Sequence, residues 1–144
     1  MLQQFKVSDC HIIDLPAIRN QNGCLTPVAN LGEIPFEINR VYYLYDIPGG
    51  ACRGGHAHKD LEQVLIAISG SFDVELDDGI NKRTIQLKRA QSGLHLRPGI
   101  WREISNFSSG AICLALASHK YDEQDYIREY DEFKLIYGAD RSGT

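Results

Sequence analysis

The chain has 144 residues, 43% hydrophobic and 24% charged, which is the composition of a folded globular domain and not of a disordered chain. A net charge of −4 with no Lys/Arg run argues against nucleic-acid binding through a cationic face. The longest apolar stretches, Val64 to Ile68 and Ala111 to Ala117, are far short of a bilayer span, so no membrane role is expected.

The first thirty residues hold one weak strand, Cys10 to Leu15, then a polar loop at Asn20 to Gly23, and Met1 to Cys10 lacks the sustained apolar core of a signal peptide. Arg40 to Asp46 (RVYYLYD) is rich in β-formers and ends at the turn Ile47-Pro48-Gly49-Gly50. Glu62 to Ser69 reads as a buried strand broken by Gly70. Phe72, Val74 and Leu76 then alternate with Asp73 and Glu75, as in a half-buried strand. Asp77-Asp78-Gly79 predicts a hairpin turn rather than a catalytic pair, with Arg83 to Leu87 returning. Leu94 to Arg97, Trp101 to Asn106 and Ala111 to Ala117 follow, separated by Pro98-Gly99 and Ser108-Ser109-Gly110.

Strands at this spacing with no helices between them predict an all-β sandwich or barrel. From Asp122 to Tyr137, the positions Tyr126, Ile127, Tyr130 and Phe133 recur at helical spacing. They predict a C-terminal helix entered through the acidic run Asp122 to Asp125, with Tyr126, Tyr130 and Phe133 as packing anchors. A single domain over 1–144 is expected. Cys10, Cys24, Cys52 and Cys113 form no CxxC pair and are expected as reduced thiols of a cytoplasmic protein.

The segment Gly50-Ala-Cys-Arg-Gly-Gly-His56-Ala-His58-Lys-Asp-Leu-Glu62, followed by Gly70, carries the chemistry. Two histidines two apart in an extended chain share a face, and Glu62 can join them. The pattern is close to the first cupin motif, G(X)5HXH(X)3E(X)6G, with one extra residue before the last glycine. The second cupin motif normally supplies another histidine after a Pro-x-Gly turn. Here that position carries Arg102, whose guanidinium cannot ligate a metal, and His95 is out of register. The reading is therefore metal-free, with a metal-dependent cupin using His56, His58 and Glu62 as the alternative. Without a metal, His56 and His58 can act as base and acid on adjacent carbons. His11 and His119 have no partner pattern and are expected at the surface.

The runs RVYYLYDIPGGACRGGHAHKDLEQVLIAISGSFDVELDDG, GLHLRPGIWREISNFSSGA and LASHKYDEQDYIREYDEF closely resemble the sugar 3,4-ketoisomerase cupins. Those enzymes convert dTDP-4-keto-6-deoxyglucose to a 3-keto sugar that an aminotransferase then uses. The resemblance implies a cupin jelly roll with a short C-terminal helix. It also implies an isomerase of deoxyamino-sugar biosynthesis that moves protons through an enediolate with no cofactor. His56 and His58 would shuttle the protons, His58 being the favoured C3 base. Tyr43 would donate to the developing oxyanion, with Tyr42 and Tyr45 competing for that role.

By the same resemblance Arg53 would pair with the diphosphate, Gln63 and Glu103 would hold sugar hydroxyls or orient the histidines, and Trp101 would stack on the thymine or the sugar. The family usually reads Trp-His-Glu where this chain reads Trp101-Arg102-Glu103, and alternation would turn Arg102 away from a pocket lined by its two neighbours. A homodimer is implied, with exchanged N-terminal strands covering the edge at Cys10 to Leu15. A 3,5-epimerase of the same nucleotide sugar and a non-catalytic nucleotide-sugar-binding module are the remaining alternatives.

Overall fold

The computed structural model describes residues 4–138, so the ends of the expected 1–144 domain lie outside the described residues. The glycine- and proline-marked turns cut the chain into short antiparallel strands. β1 (His11–Asp14), β4 (Arg40–Leu44), β6 (Gln63–Ser69), β9 (Ser92–Leu96) and β11 (Ile112–Ala117) form one sheet, in the order β1-β9-β6-β11-β4. β5 (Arg53–His58), β7 (Phe72–Asp77), β8 (Lys82–Leu87), β10 (Trp101–Ser105) and β12 (Tyr126–Ile127) form the second, in the order β12-β5-β10-β7-β8. A separate hairpin of β2 (Ile18–Asn20) and β3 (Gly23–Leu25) pairs with neither. The all-β jelly-roll expectation holds.

Alternation decides what each sheet buries. The inner faces meet in a core that includes Leu65, Ala67, Leu96 and Ala115 from the first sheet and Phe72, Val74, Leu76 and Ile104 from the second. The outer face of the first sheet, with Val64, Ile66 and Leu116, is covered by Ile34 and Phe36 of the long connection before β4. The outer face of the second, with Ala57 and Trp101, is covered by Ile127 and by Phe133 and Tyr137 of the helix α1 (Tyr130–Tyr137).

The tight turn after β7 is built as its acidic residues suggest. Asp77 accepts from the Gly79 amide, Asp78 accepts from the Ile80 and Asn81 amides, and Gly79 adopts φ +95°. The polar stretch Asn20 to Gly23 is the turn of the β2–β3 hairpin, with Asn20 Oδ1 accepting from the Asn22 amide.

The helix expected from Asp122 is a correction: only Tyr130–Tyr137 is helical. Glu123–Asp125 is a 3-10 turn capped by Asp122, which accepts from the Gln124 amide. Tyr126 and Ile127 then pair with His58 and Ala57. The competing interaction is the open edge of β5, whose backbone groups Tyr126 and Ile127 satisfy while Ile127 is buried against the sheet. Phe133 and Tyr130 pack as the anchors expected, whereas Tyr126 faces a cavity.

Candidate active site

Between the two sheets, a cavity of about 300 Å³ opens beside β4, β5 and β10. Arg40, Tyr42 and Leu44 of β4 line it, as the i, i+2, i+4 rule requires. So do Arg102 and Ile104 of β10. β5 departs from simple alternation. Its His56 pairs with Arg102 and its Arg53 with Ile104, so three steps along β5 match two along β10. Such a bulge adds one residue and turns the chain. Gly54 carries the required left-handed backbone at φ +80°. The bulge is what brings both Arg53 and His56 to the cavity; in an unbroken strand they would face opposite sides.

Beside the histidines, a hydrogen-bonded chain runs from β10 across to β6 and β4. Arg102 is buried, its Nε donates to the Ile100 carbonyl at 3.1 Å, and its Nη1 donates to Gln63 Oε1 at 2.6 Å. Gln63 Nε2 in turn donates to the Tyr42 hydroxyl at 2.7 Å. Arg102 Nη2 is buried with no partner among the described residues. Burial holds the Tyr42 hydroxyl above its ordinary pKa, against the lowering effects of Gln63 and Arg102.

His56 and His58 lie edge to face, ring centroids 4.8 Å apart, and the Tyr126 ring packs on both at 5.0 and 4.3 Å. His56 lines the cavity; His58 is fully buried behind it. His58 Nδ1 lies 3.0 Å from Asp125 Oδ2, and the carboxylate also accepts from the Asp60 and Leu61 amides. Burial raises the Asp125 pKa, but His58 and the two amides outweigh it and hold the net value below the ordinary one. An ionised carboxylate only accepts, so Nδ1 donates and His58 Nε2 carries a lone pair. The Nε2 atoms of both histidines lack partners among the described residues. Burial, then Arg102, His58 and Arg128, lowers the His56 pKa to about 2. Burial also lowers that of His58 to about 4, with Asp125 opposing. Both rings are neutral at physiological pH.

Four arginines, Arg40, Arg53, Arg102 and Arg128, line the cavity, and among the described residues no carboxylate does. Arg40 stacks over the Tyr42 ring, and Arg128 stacks over Tyr126 while forming a two-pronged pair with Glu123. The cavity is therefore electropositive and rimmed with aromatic faces, a setting for an anion joined to a flat or cyclic body.

Of the residues singled out from sequence, His56, Arg53 and Gln63 meet at this cavity, with His58 directly behind His56. Tyr43 does not: it lies on the other face of β4, 60% exposed, and the tyrosine brought in is Tyr42. Trp101 and Glu103 are corrected likewise. They share the outer face of β10, where Trp101 packs against Tyr130 and Phe133 under α1 and Glu103 stands beside Glu75, Asp77 and Lys82. Arg102, expected to point away, is the member of that triplet inside the cavity. The signal was present: Arg102 shares parity with the core residue Ile104.

Glu62 also leaves the histidines, its Oε1 lying 2.8 Å from His95 Nε2 and 3.5 Å from Arg97 Nε. Among the described residues no three His, Cys, Asp or Glu side chains converge as a metal cage. Asp125, Tyr126 and Arg128 were missed because a helical period was read through a two-residue strand. Their signal was membership of the run YDEQDYIREYDEF rather than any periodicity. The thiols are free, Cys10 and Cys113 buried and Cys24 and Cys52 exposed.

Comparison with known proteins gives a consistent picture. The family model described as FdtA: WxcM-like, C-terminal matches residues 8–137. The TDP-4-oxo-6-deoxy-alpha-D-glucose-3,4-oxoisomerase of Aneurinibacillus thermoaerophilus is 46% identical over 123 residues, 85% of this chain and 88% of that protein. The structure of the WlaRB TDP-quinovose 3,4-ketoisomerase from Campylobacter jejuni is similar at a TM-score of 0.85 and 50% identity, over 90% of this chain and 99% of the other. That of QdtA, a sugar 3,4-ketoisomerase from Thermoanaerobacterium thermosaccharolyticum solved with TDP, is similar at a TM-score of 0.89 and 38% identity, over 92% and 96% of the two chains.

Proposed function

Since the chain belongs to the FdtA family of WxcM-like C-terminal domains, we propose that it is a sugar-nucleotide 3,4-ketoisomerase acting on dTDP-4-keto-6-deoxyglucose. The observation that carries this reading is one cavity holding four arginines, no carboxylate, a neutral histidine and a tyrosine hydroxyl. A nucleoside diphosphate supplies the missing negative charge, and Arg53 at the bulge is the residue assigned to it. Histidine and tyrosine supply the acid–base pair that a keto shift needs.

In this reading His56 takes the C3 hydrogen as a proton. The C3–H electron pair becomes the C3–C4 double bond, and the carbonyl pair moves onto the C4 oxygen, which takes the Tyr42 proton. The resulting enediol then loses the proton of the C3 hydroxyl to the Tyr42 phenolate. The C3 carbonyl forms, and the C3–C4 pair takes the proton back from His56 at C4. C4 is reduced as C3 is oxidised, so the electrons balance within the sugar. His58, turned toward Asp125, supports His56 from behind. This assigns the carbon base to His56 rather than to the His58 favoured from sequence, because His56 is the one at the cavity wall.

The assembly we propose is a homodimer with exchanged N-terminal strands. Support comes from the β2–β3 hairpin, which among the described residues pairs with no other strand and leaves Ile18 and Leu25 exposed. β4 is likewise an open edge, with Val41 and Tyr43 exposed.

The test is incubation with dTDP-4-keto-6-deoxyglucose in deuterated water, followed by NMR. A 3-keto product with deuterium at C4, taken up as the His56 proton exchanges with solvent, is expected, with deuterium at C3 only in recovered 4-keto substrate. Deuterium at C5 would favour 3,5-epimerisation, and saturable binding without product would favour a sensing module.

A further inference from the structure

A guanidinium has five N–H donors and no acceptor, a primary amide has one end of each kind, and a hydroxyl has one proton and two lone pairs. Linked in series, these groups have only one consistent polarity. Arg102 is anchored through Nε to the Ile100 carbonyl and presents Nη1 to Gln63 at 2.6 Å. The atom facing it must be Oε1, which leaves Nε2 to face Tyr42 at 2.7 Å. The Tyr42 oxygen therefore accepts, and its single proton is not used by the chain.

We infer that Arg102 is a positioning residue for proton transfer: through Gln63 it fixes the Tyr42 hydroxyl so that its proton is presented to the bound sugar. The inference rests on the ketoisomerase reading and adds to it the device that gives Tyr42 its direction. Without a donor-only partner at 102, the Gln63 amide can rotate by half a turn and present Oε1 to Tyr42. The hydroxyl would then donate to Gln63, and no proton would face the carbonyl oxygen. The same chain serves the second half of the reaction. Once Tyr42 has given up its proton, the Gln63 N–H donates to the phenolate, and Arg102 polarises that amide from its other end. The arginine acts on the tyrosine and not on the reacting carbons.

Three variants separate this from a packing role. Gln63→Glu keeps the shape and strengthens the contact with Arg102, but a carboxylate only accepts and captures the Tyr42 proton. A general acid is worth about 100-fold or more in rate, so kcat is expected to fall about 100-fold, while the added carboxylate weakens KM and TDP affinity by calorimetry by no more than about tenfold. Arg102→Met, of similar length but without donors, is expected to show a comparable loss of kcat beyond any weakening of TDP affinity. Arg102→Lys, again donor-only, is expected to recover most of that loss.

Wild-type kcat in Gln63→Glu would overturn the inference while leaving the isomerase reading intact. So would an Arg102→Lys variant no faster than Arg102→Met. Absence of any 3-keto product from the unmodified protein would overturn the isomerase reading, and this inference with it. If Gln63→Glu fails to fold, the Arg102 pair decides.

Discussion

His56 sits beside two guanidiniums and a second imidazole and is largely withdrawn from water, which lowers its pKa to about 2. That environment keeps the ring a proton acceptor through the neutral range. The rate profile should therefore show no inflection near 6.5, the ordinary imidazole value, when kcat/KM is measured from pH 5 to 8. The same burial has a stability consequence whose sign is fixed by linkage. The unfolded chain binds protons on His56 and His58 below pH 6.5, while the folded protein resists them until about 2 and about 4. The stabilisation is complete above 6.5 and is progressively lost as pH falls toward those folded values. His56→Gln should abolish isomerisation by about 100-fold or more and retain TDP binding. It should also flatten the fall of Tm between pH 6.5 and 4; an unchanged slope would show that His56 is not the buried group responsible.

The bulge in β5 is the element on which the cavity depends, because it reverses the parity of the strand between Arg53 and His56. A Cβ at Gly54 would meet Ile104 only at ordinary contact distance, 3.7 Å, so space is not what forbids a side chain there. The backbone is: φ is +80°, and an L residue in that region costs about 1–2 kcal/mol. Gly54→Ala should lower stability by about that amount in urea unfolding. TDP affinity should fall with it as Arg53 loses its aim, whereas Gly49→Ala, in open space without a left-handed φ, should change neither.

Elements of this kind explain how far the sequence could be read. Strands such as β7 were legible because five or more residues alternate against a core. The paired histidines were legible because the HAH spacing has meaning only in an extended chain. β12 was not, since two residues have no period, and its existence depends on a free edge of β5 formed by residues distant in sequence. Arg102 was misassigned because Trp101 and Glu103 were placed in the pocket, and alternation then turned their neighbour away from the face on which it is in fact buried. Only the Gln63 and Ile100 acceptors make that burial affordable.

At the scale of the molecule, the exposed hairpin and the open edge of β4 predict a sedimentation mass about twice the 16.2 kDa of one chain, shifting toward the single-chain mass in an Ile18→Lys, Leu25→Lys variant. Retention of the larger mass in that variant would place the interface elsewhere. The charge distribution has its own outcome. Four of fifteen Lys and Arg residues converge on a single cavity in a chain of net charge −4. The outside is consequently more acidic than the total implies. A phosphorylated metabolite diffusing past meets a concentration of positive charge at one mouth, so selection begins before contact. Uncharged sugars of identical ring structure receive no such guidance and are discriminated against by arrival rate as well as by fit.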